Sequence, residues 1–202
     1  GSSAGSASAV AAGLCAFAIG TETLGSIVAP SARCGVTGLR PTFGRVSRYG
    51  VMTLSWSMDK VGPICRDARD CALVLEAIRG EDGRDRTVED APFPFNARKN
   101  PVLLRVGYLQ AAFEKDTTRA GKNNLAALDV FRSMGIELQD VTLPEGFPYG
   151  AFDIILRAES GAFFDALIRS GDVDMLEEQH RGSRANSLRQ SRFIPAPEYL
   201  QA

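Results

Sequence analysis

Histidine is nearly missing: His180 is the only one in 202 residues. A zinc site built from two or three imidazoles is therefore excluded, and a Ser-His-Asp relay would have to run through His180. That residue stands in the charged run Glu177-Glu178-Gln179-His180-Arg181 and reads as solvated. A hydrolase built on this chain is thus expected to take its base from another residue type. Cysteine is sparse: Cys15, Cys34, Cys65 and Cys71 form no CxxC pair, and they read as reduced thiols packed as small core residues in a cytoplasmic setting. Net charge is close to nil, with 23 basic and 24 acidic side chains, so no global field draws the chain to nucleic acid or an anionic membrane. Long runs of large aliphatic residues are also lacking. The apolar stretch 7–20 is made of small residues without a basic flank, which fits neither a secretory signal nor a membrane span. No lysine precedes Lys60, which excludes a phosphate-cradling P-loop there, and no GxGxxG follows a strand.

What is present is an apolar fraction of 45%, ample for a core, and a clear order of segments. The first 39 residues carry only Glu22 and Arg33 as charges and are crowded with Gly, Ser and Ala, so they read as backbone packed closely around something. Residues 5–14 suit a helix of small side chains, 16–19 a short buried strand, 20–23 a turn, and 27–34 a turn or two of helix interrupted at Pro30. From Gly35 to Pro63 the segments are short and glycine-punctuated. Residues 66–79 form an amphipathic helix stopped by Gly80, with Ala68, Cys71, Ala72, Leu75 and Ile78 on one face. After a surface connection over 81–100, a strand at 102–109, a helix at 117–134 and a strand at 136–143 predict a crossover unit with parallel strands. Residues 151–169 read as one helix whose stripe, Phe152, Ile155, Leu156, Phe163, Leu167 and Ile168, faces the core. Pro195 and Pro197 precede a last helical start. The expectation is one α/β domain, a mixed sheet covered by helices, without internal repeats.

The segments Gly1-Ser2-Ser3-Ala4-Gly5-Ser6 and Gly20-Thr21-Glu22-Thr23-Leu24-Gly25-Ser26 admit two readings on spacing alone. One is a tightly packed small-residue turn without chemistry. The other is acyl transfer by a serine, which needs a tight turn, converging backbone amides and a base. Ser26 meets the first two needs: Gly25 allows close approach, and Thr23, Leu24, Gly25 and Ser26 offer successive amides. Ser2 can lie beside it if the helix and strand between them fold back.

The run GSSAGSASAVAAG, followed by GTETLGSIVAPSARCGVTGLRPTFGRVSRYG and by Met58-Asp59-Lys60-Val61-Gly62-Pro63, resembles the amidase signature family of serine hydrolases. The likeness is strong to about Asp85 and general beyond it. It implies the amidase signature fold, held here as an incomplete central fragment: a single domain over 1–202, with the signature core in 1–85 and a strand-helix-strand and helical continuation in 86–202. It implies Ser26 as the acyl-accepting nucleophile and Ser2 as the serine that follows a cis peptide and bridges nucleophile and base. The amides of Thr23, Leu24, Gly25 and Ser26 correspond to the oxyanion hole, and Glu22 to a carboxylate that orients the loop. It implies no metal and no organic cofactor.

The family's base is a buried neutral lysine upstream of the first motif, and this chain has no counterpart. Lys60, Lys99, Lys115 and Lys122 read as surface or loop residues, so the 202 residues alone are expected to be inactive toward amides. Three departures stand out, the first being Glu22 where the family usually has aspartate. The family usually has glycine at the Leu24 position, where a side chain would narrow the acyl pocket or demand another turn. Many members carry arginine at Val28, a role that Arg33 could fill in space or forgo for an ion pair. The implied activity is hydrolysis of a carboxamide C–N bond, with a small-molecule amide as partner and a homodimer as one possible assembly. The RPTFGRVSRYG stretch also resembles the A-type component of glutamyl-tRNA amidotransferases, which would bring partner subunits and glutamine. A third reading is a member of the family that binds without catalysing.

Overall fold

The computed structural model describes residues 3–96, 98 and 100–202. The chain opens with helix α1 (Ala4–Ala11), strand β1 (Phe17–Glu22), helix α2 (Val28–Cys34), strand β2 (Thr37–Gly38), strand β3 (Lys60–Cys65) and helix α3 (Ala68–Ile78). β3 lies between β1 and β2, antiparallel to both, with Glu22 opposite Lys60 and Phe17 opposite Cys65. All six β3 residues are buried. The strand carries Gly62 and Pro63, both of which argue against a central strand from sequence. Gly62 is required by space: a Cβ there would stand 2.2 Å from the Leu39 carbonyl oxygen. Pro63 accepts from the Leu39 amide at 3.0 Å and has no N–H to return.

β1 is longer than the predicted strand and absorbs the expected turn at 20–22. It is also less buried than expected. Phe17 and Ile19 share a face and are exposed, while Gly20 and Glu22, on the other face, are buried. α1 packs on that second face, where Ala7 and Val10 meet Ile27 and Ile64 in one core cluster. Pro30 does not interrupt α2: it lies in the first turn, where its missing N–H has no intrahelical partner to lose. α3 begins at Asp67, whose side chain accepts from the Asp70 amide at 2.8 Å. Its Leu75 joins Val46 and Val61 in a second cluster.

The contacts divide the chain into two compact units, Gly1–Phe95 with Tyr149–Ala202, and Asn96–Pro148. The second unit holds strand β4 (Val106–Tyr108), helices α4 (Gln110–Lys115) and α5 (Arg119–Ser133), and strand β5 (Leu138–Asp140). β4 and β5 are parallel, with Val106 opposite Leu138, as the crossover pattern predicted. Each is three residues long rather than eight, and the predicted single connecting helix is preceded by a short one.

The remaining helices belong to the first unit: α6 (Ala151–Phe163), α7 (Asp165–Ser170), α8 (Arg184–Ser191) and α9 (Ala196–Gln201). The expected helix over 151–169 is broken at Phe164, and its apolar stripe is not what α6 buries. Phe152 and Phe163 are 41% and 45% exposed, whereas Glu159, Ser160 and Gly161 are buried. The reason is close helix packing. A Cβ on Gly161 would fall 1.9 Å from the Ser191 Oγ of α8, so only a face of small residues can turn inward. Leu167 and Ile168 pack beside Val173, Ala185 and Leu188.

Candidate active site

The loop from Thr23 to Ser26 leaves the end of β1 and enters α2, and it is held at both ends. Glu22, the last residue of β1, is buried, and its Oε2 accepts from the Ile27 and Val28 amides at 2.8 and 3.0 Å. A carboxylate thus meets the first amides of α2, where the helix leaves donors without intrahelical acceptors. The Arg40 guanidinium lies 3.8 Å from the other Glu22 oxygen. At the near end the Thr23 hydroxyl donates to Asp59 Oδ1 at 2.5 Å, and Lys60 Nζ donates to the Thr23 carbonyl at 2.8 Å.

Hydrogen bonds take up three of the loop's four carbonyls and leave two of its amides. The Thr23, Gly25 and Ser26 carbonyls accept from Lys60, Ala29 and Ser3 respectively. Among the described residues, the Leu24 and Gly25 amides donate to nothing. Gly25 does not have positive φ, and a Cβ on it would meet nothing within 4 Å. The turn therefore does not require glycine for its backbone; what glycine leaves is open space beside Ser26. Leu24 is 57% exposed, and it lines neither of the two cavities that Ser26 borders, so its side chain does not narrow them.

The larger of those cavities, about 450 Å³, is bordered by Thr21, Thr23 and Ser26, by Thr53 and Asp59, and by Met52, Leu54, Phe164, Leu167, Leu176 and Leu188. Arg184 adds a positive charge to this largely apolar wall. The smaller, about 380 Å³, places Arg33 on the same wall as Gly25 and Ser26. Val28 lines neither space. Ser2 lies outside the described residues. Its neighbour Ser3 is bonded to both ends of the Thr21–Ser26 segment: its amide donates to the Ser26 carbonyl at 3.3 Å, and its hydroxyl exchanges two 3.1 Å bonds with the Thr21 backbone.

Three supporting residues escaped the sequence. Lys60 is not a surface lysine: it is 9% exposed, and burial, with Arg40 nearby, lowers its pKa against the opposing pull of Glu22 and Asp59. Asp59, besides receiving Thr23, accepts from the Leu54 and Ser55 amides at 2.8 and 3.0 Å. Glu159 of α6, 1% exposed, accepts from the Ser55 hydroxyl at 2.5 Å, the Ser57 amide at 3.1 Å and the Tyr199 hydroxyl at 3.2 Å. Burial, then the Glu159 charge, raises the Tyr199 phenol. A polar chain thus runs from Thr23 through Asp59 and Ser55 to Glu159 and Tyr199. Its sequence signal was present in the acid of Ala158-Glu159-Ser160-Gly161-Ala162, set among small residues that permit close approach. His180 is exposed, with its side chain beside Glu178. Among the described residues no cluster of His, Cys, Asp or Glu is arranged to hold a metal ion, all four cysteines are free, and no helix is long and apolar enough to cross a membrane.

The family model described as Amidase matches residues 1–189. The chain belongs to the amidase family. Among curated amidase relatives, the A-type component of the glutamyl-tRNA(Gln) amidotransferase from Staphylococcus haemolyticus is 40% identical over 204 residues, covering 93% of this chain and 41% of that protein. The native peptide amidase of Stenotrophomonas maltophilia superposes over all of this chain and 46% of its own, with a TM-score of 0.81 and 34% identity. A protein of a vestigial complex bearing on the origins of an s-triazine catabolic enzyme gives a TM-score of 0.84 at 29% identity, again over the whole chain and 43% of its own. The chain therefore spans about two fifths of the length of the amidase-family relatives it matches, and its mixed α/β architecture is the corresponding part of the amidase signature fold.

Proposed function

We propose that this chain supplies the nucleophile and the oxyanion loop of an amidase that cleaves a carboxamide C–N bond through an acyl-enzyme on Ser26. The observation that carries this reading is the loop's polarity: the Thr23, Gly25 and Ser26 carbonyls are taken up by hydrogen bonds, while the Leu24 and Gly25 amides have no acceptor among the described residues, beside a serine that borders two cavities. Such amides stabilise the negative charge that develops on a carbonyl oxygen when Ser26 Oγ attacks its carbon. The C–N bond then breaks, the amine or ammonia leaves with a proton, and water hydrolyses the ester on Ser26. The resemblance to the family supplies the rest of the machinery. Ser2 relays the hydroxyl proton, and a lysine elsewhere in the full-length protein accepts it. No metal or organic cofactor enters these steps.

The test is covalent labelling of the full-length protein by a fluorophosphonate. Labelling that maps to Ser26 and is lost in Ser26→Ala is expected; a protein that stays unlabelled would instead be a binding member of the family.

A second reading is the A-type component of an amidotransferase, which takes ammonia from glutamine and works with partner subunits. The 40% identity to the Staphylococcus haemolyticus protein across 93% of this chain favours it. Glutaminase activity that appears only when the full-length protein is mixed with a cognate partner would select this reading over a free amidase.

A further inference from the structure

Among the described residues, Lys60 is the one strongly buried cation in the vicinity of the nucleophile loop, and the catalytic reading above gives it no task. It sits opposite Glu22 in the β1–β3 register and lines a cavity of about 370 Å³ shared with Arg48 and Trp56, not the cavities that Ser26 borders. It thus stands behind the loop rather than in front of it, out of place for a proton acceptor from Ser26. What it touches is the Thr23 carbonyl. A peptide group is planar, and in a trans peptide its C=O and its N–H point to opposite sides. The N–H in the same plane as the Thr23 carbonyl is that of Leu24.

We propose that Lys60 is a positioning residue for the oxyanion loop: by holding the Thr23 carbonyl on the strand side, it turns the Leu24 N–H to the opposite, open side. The proposal rests on Ser26 being the nucleophile. The Thr23 hydroxyl bond to Asp59 fixes the same residue at a second point, so the peptide plane cannot swivel while both bonds hold. Without Lys60, the carbonyl can rotate outward to water, and the Leu24 amide rotates inward with it. A role limited to balancing the charges of Glu22 and Asp59 would affect stability alone. A positioning role affects the rate of attack at Ser26 and leaves binding of the probe in place.

The experiment measures kinact and KI for a fluorophosphonate with the full-length wild type, Lys60→Met, Lys60→Gln and Ser26→Ala. Met keeps the volume and removes the donor, and Gln restores a donor without the charge. The loss of one oxyanion donor predicts a fall in kinact of about 100-fold in Lys60→Met with KI nearly unchanged, and recovery to within about threefold of wild type in Lys60→Gln. A folded Lys60→Met whose kinact falls by less than about tenfold overturns the proposal, as does a folded Lys60→Gln as slow as Lys60→Met. If Lys60→Met does not fold, Lys60→Gln decides alone: a folded variant more than about threefold slower than wild type overturns it. A wild type that does not label removes the serine reading itself, and this proposal with it. A labelled wild type beside an unimpaired Lys60→Met removes only the role of Lys60.

Discussion

The Ser3 amide donates to the Ser26 carbonyl across 23 residues of sequence, at 3.3 Å, so the two serine-rich motifs meet through the backbone. The Ser3 hydroxyl reinforces the contact by pairing with both the N–H and the C=O of Thr21. Ser3→Ala leaves those two half-buried backbone groups without their partner. A stability loss of about 1–3 kcal/mol is expected, read as a lower urea midpoint at unchanged m-value. A midpoint equal to wild type would mean that water replaces the hydroxyl without cost.

Gly25→Ala separates folding from chemistry. Its Cβ meets no atom and its φ is not positive, so thermal stability should match wild type. The methyl group occupies the space beside Ser26, and misplacing a reacting carbonyl by about 1 Å costs on the order of 100-fold. The full-length variant should therefore melt normally and label with a fluorophosphonate at least about tenfold more slowly. Equal labelling rates would show that the acyl group approaches from another side.

Asp85 gives a pH dependence with a definite sign. Burial alone would raise its carboxyl; the Thr87 hydroxyl and the Arg48 amide and guanidinium, all bonded to it, together hold it far below the usual range. A depressed pKa in the folded state stabilises above the unfolded value, near 3.9, and that contribution fades as pH falls through the folded value. Asp85→Asn should therefore be less stable than wild type at pH 6, and the difference should shrink steadily below about pH 4. Denaturant midpoints of the two proteins from pH 6 to pH 2 check this; a constant gap would place the effect in packing rather than charge.

Gly161→Val tests the close contact of α6 with α8. The added side chain collides with Ser191 Oγ and Cβ, which lie 1.9 and 2.6 Å from the ideal Cβ position. Overpacking of this kind costs about 1–3 kcal/mol, seen as a lower unfolding midpoint. It should also weaken the Glu159 bonds to Ser55 and Ser57, which a slower fluorophosphonate reaction at Ser26 would register.

Much of the local structure of the 20–28 segment was legible because its demands are local. Glycine, serine and a lone acid in a charge-poor stretch narrow the options, and Glu22 occupies the place from which a carboxylate reaches the Ile27 and Val28 amides. α3 and α5 were equally plain, each opening on a capping side chain, Asp67 and Thr118. β3 was hidden, since Gly62-Pro63 contradicts a central strand unless the position of the Leu39 carbonyl is known. The misreading of Lys60 follows from that: without the strand, nothing buries it. The α6 stripe misled for a related reason. Helical spacing shows which residues share a face, but the small side chains of Gly161 and Ser191 decide which face packs.

The bonds from Ser55 and Ser57 to Glu159 span 104 and 102 residues. Contacts of that sequence range are slow to close, because the chain entropy of the whole intervening loop is lost before they form. On a ribosome, the segment carrying Ser26 is therefore made long before the acid that anchors its support, and the polar chain stays open until residue 159 emerges. The sheet and α1 can assemble early from local pairings. Closure of this polar chain is a late event, timed by the arrival of α6.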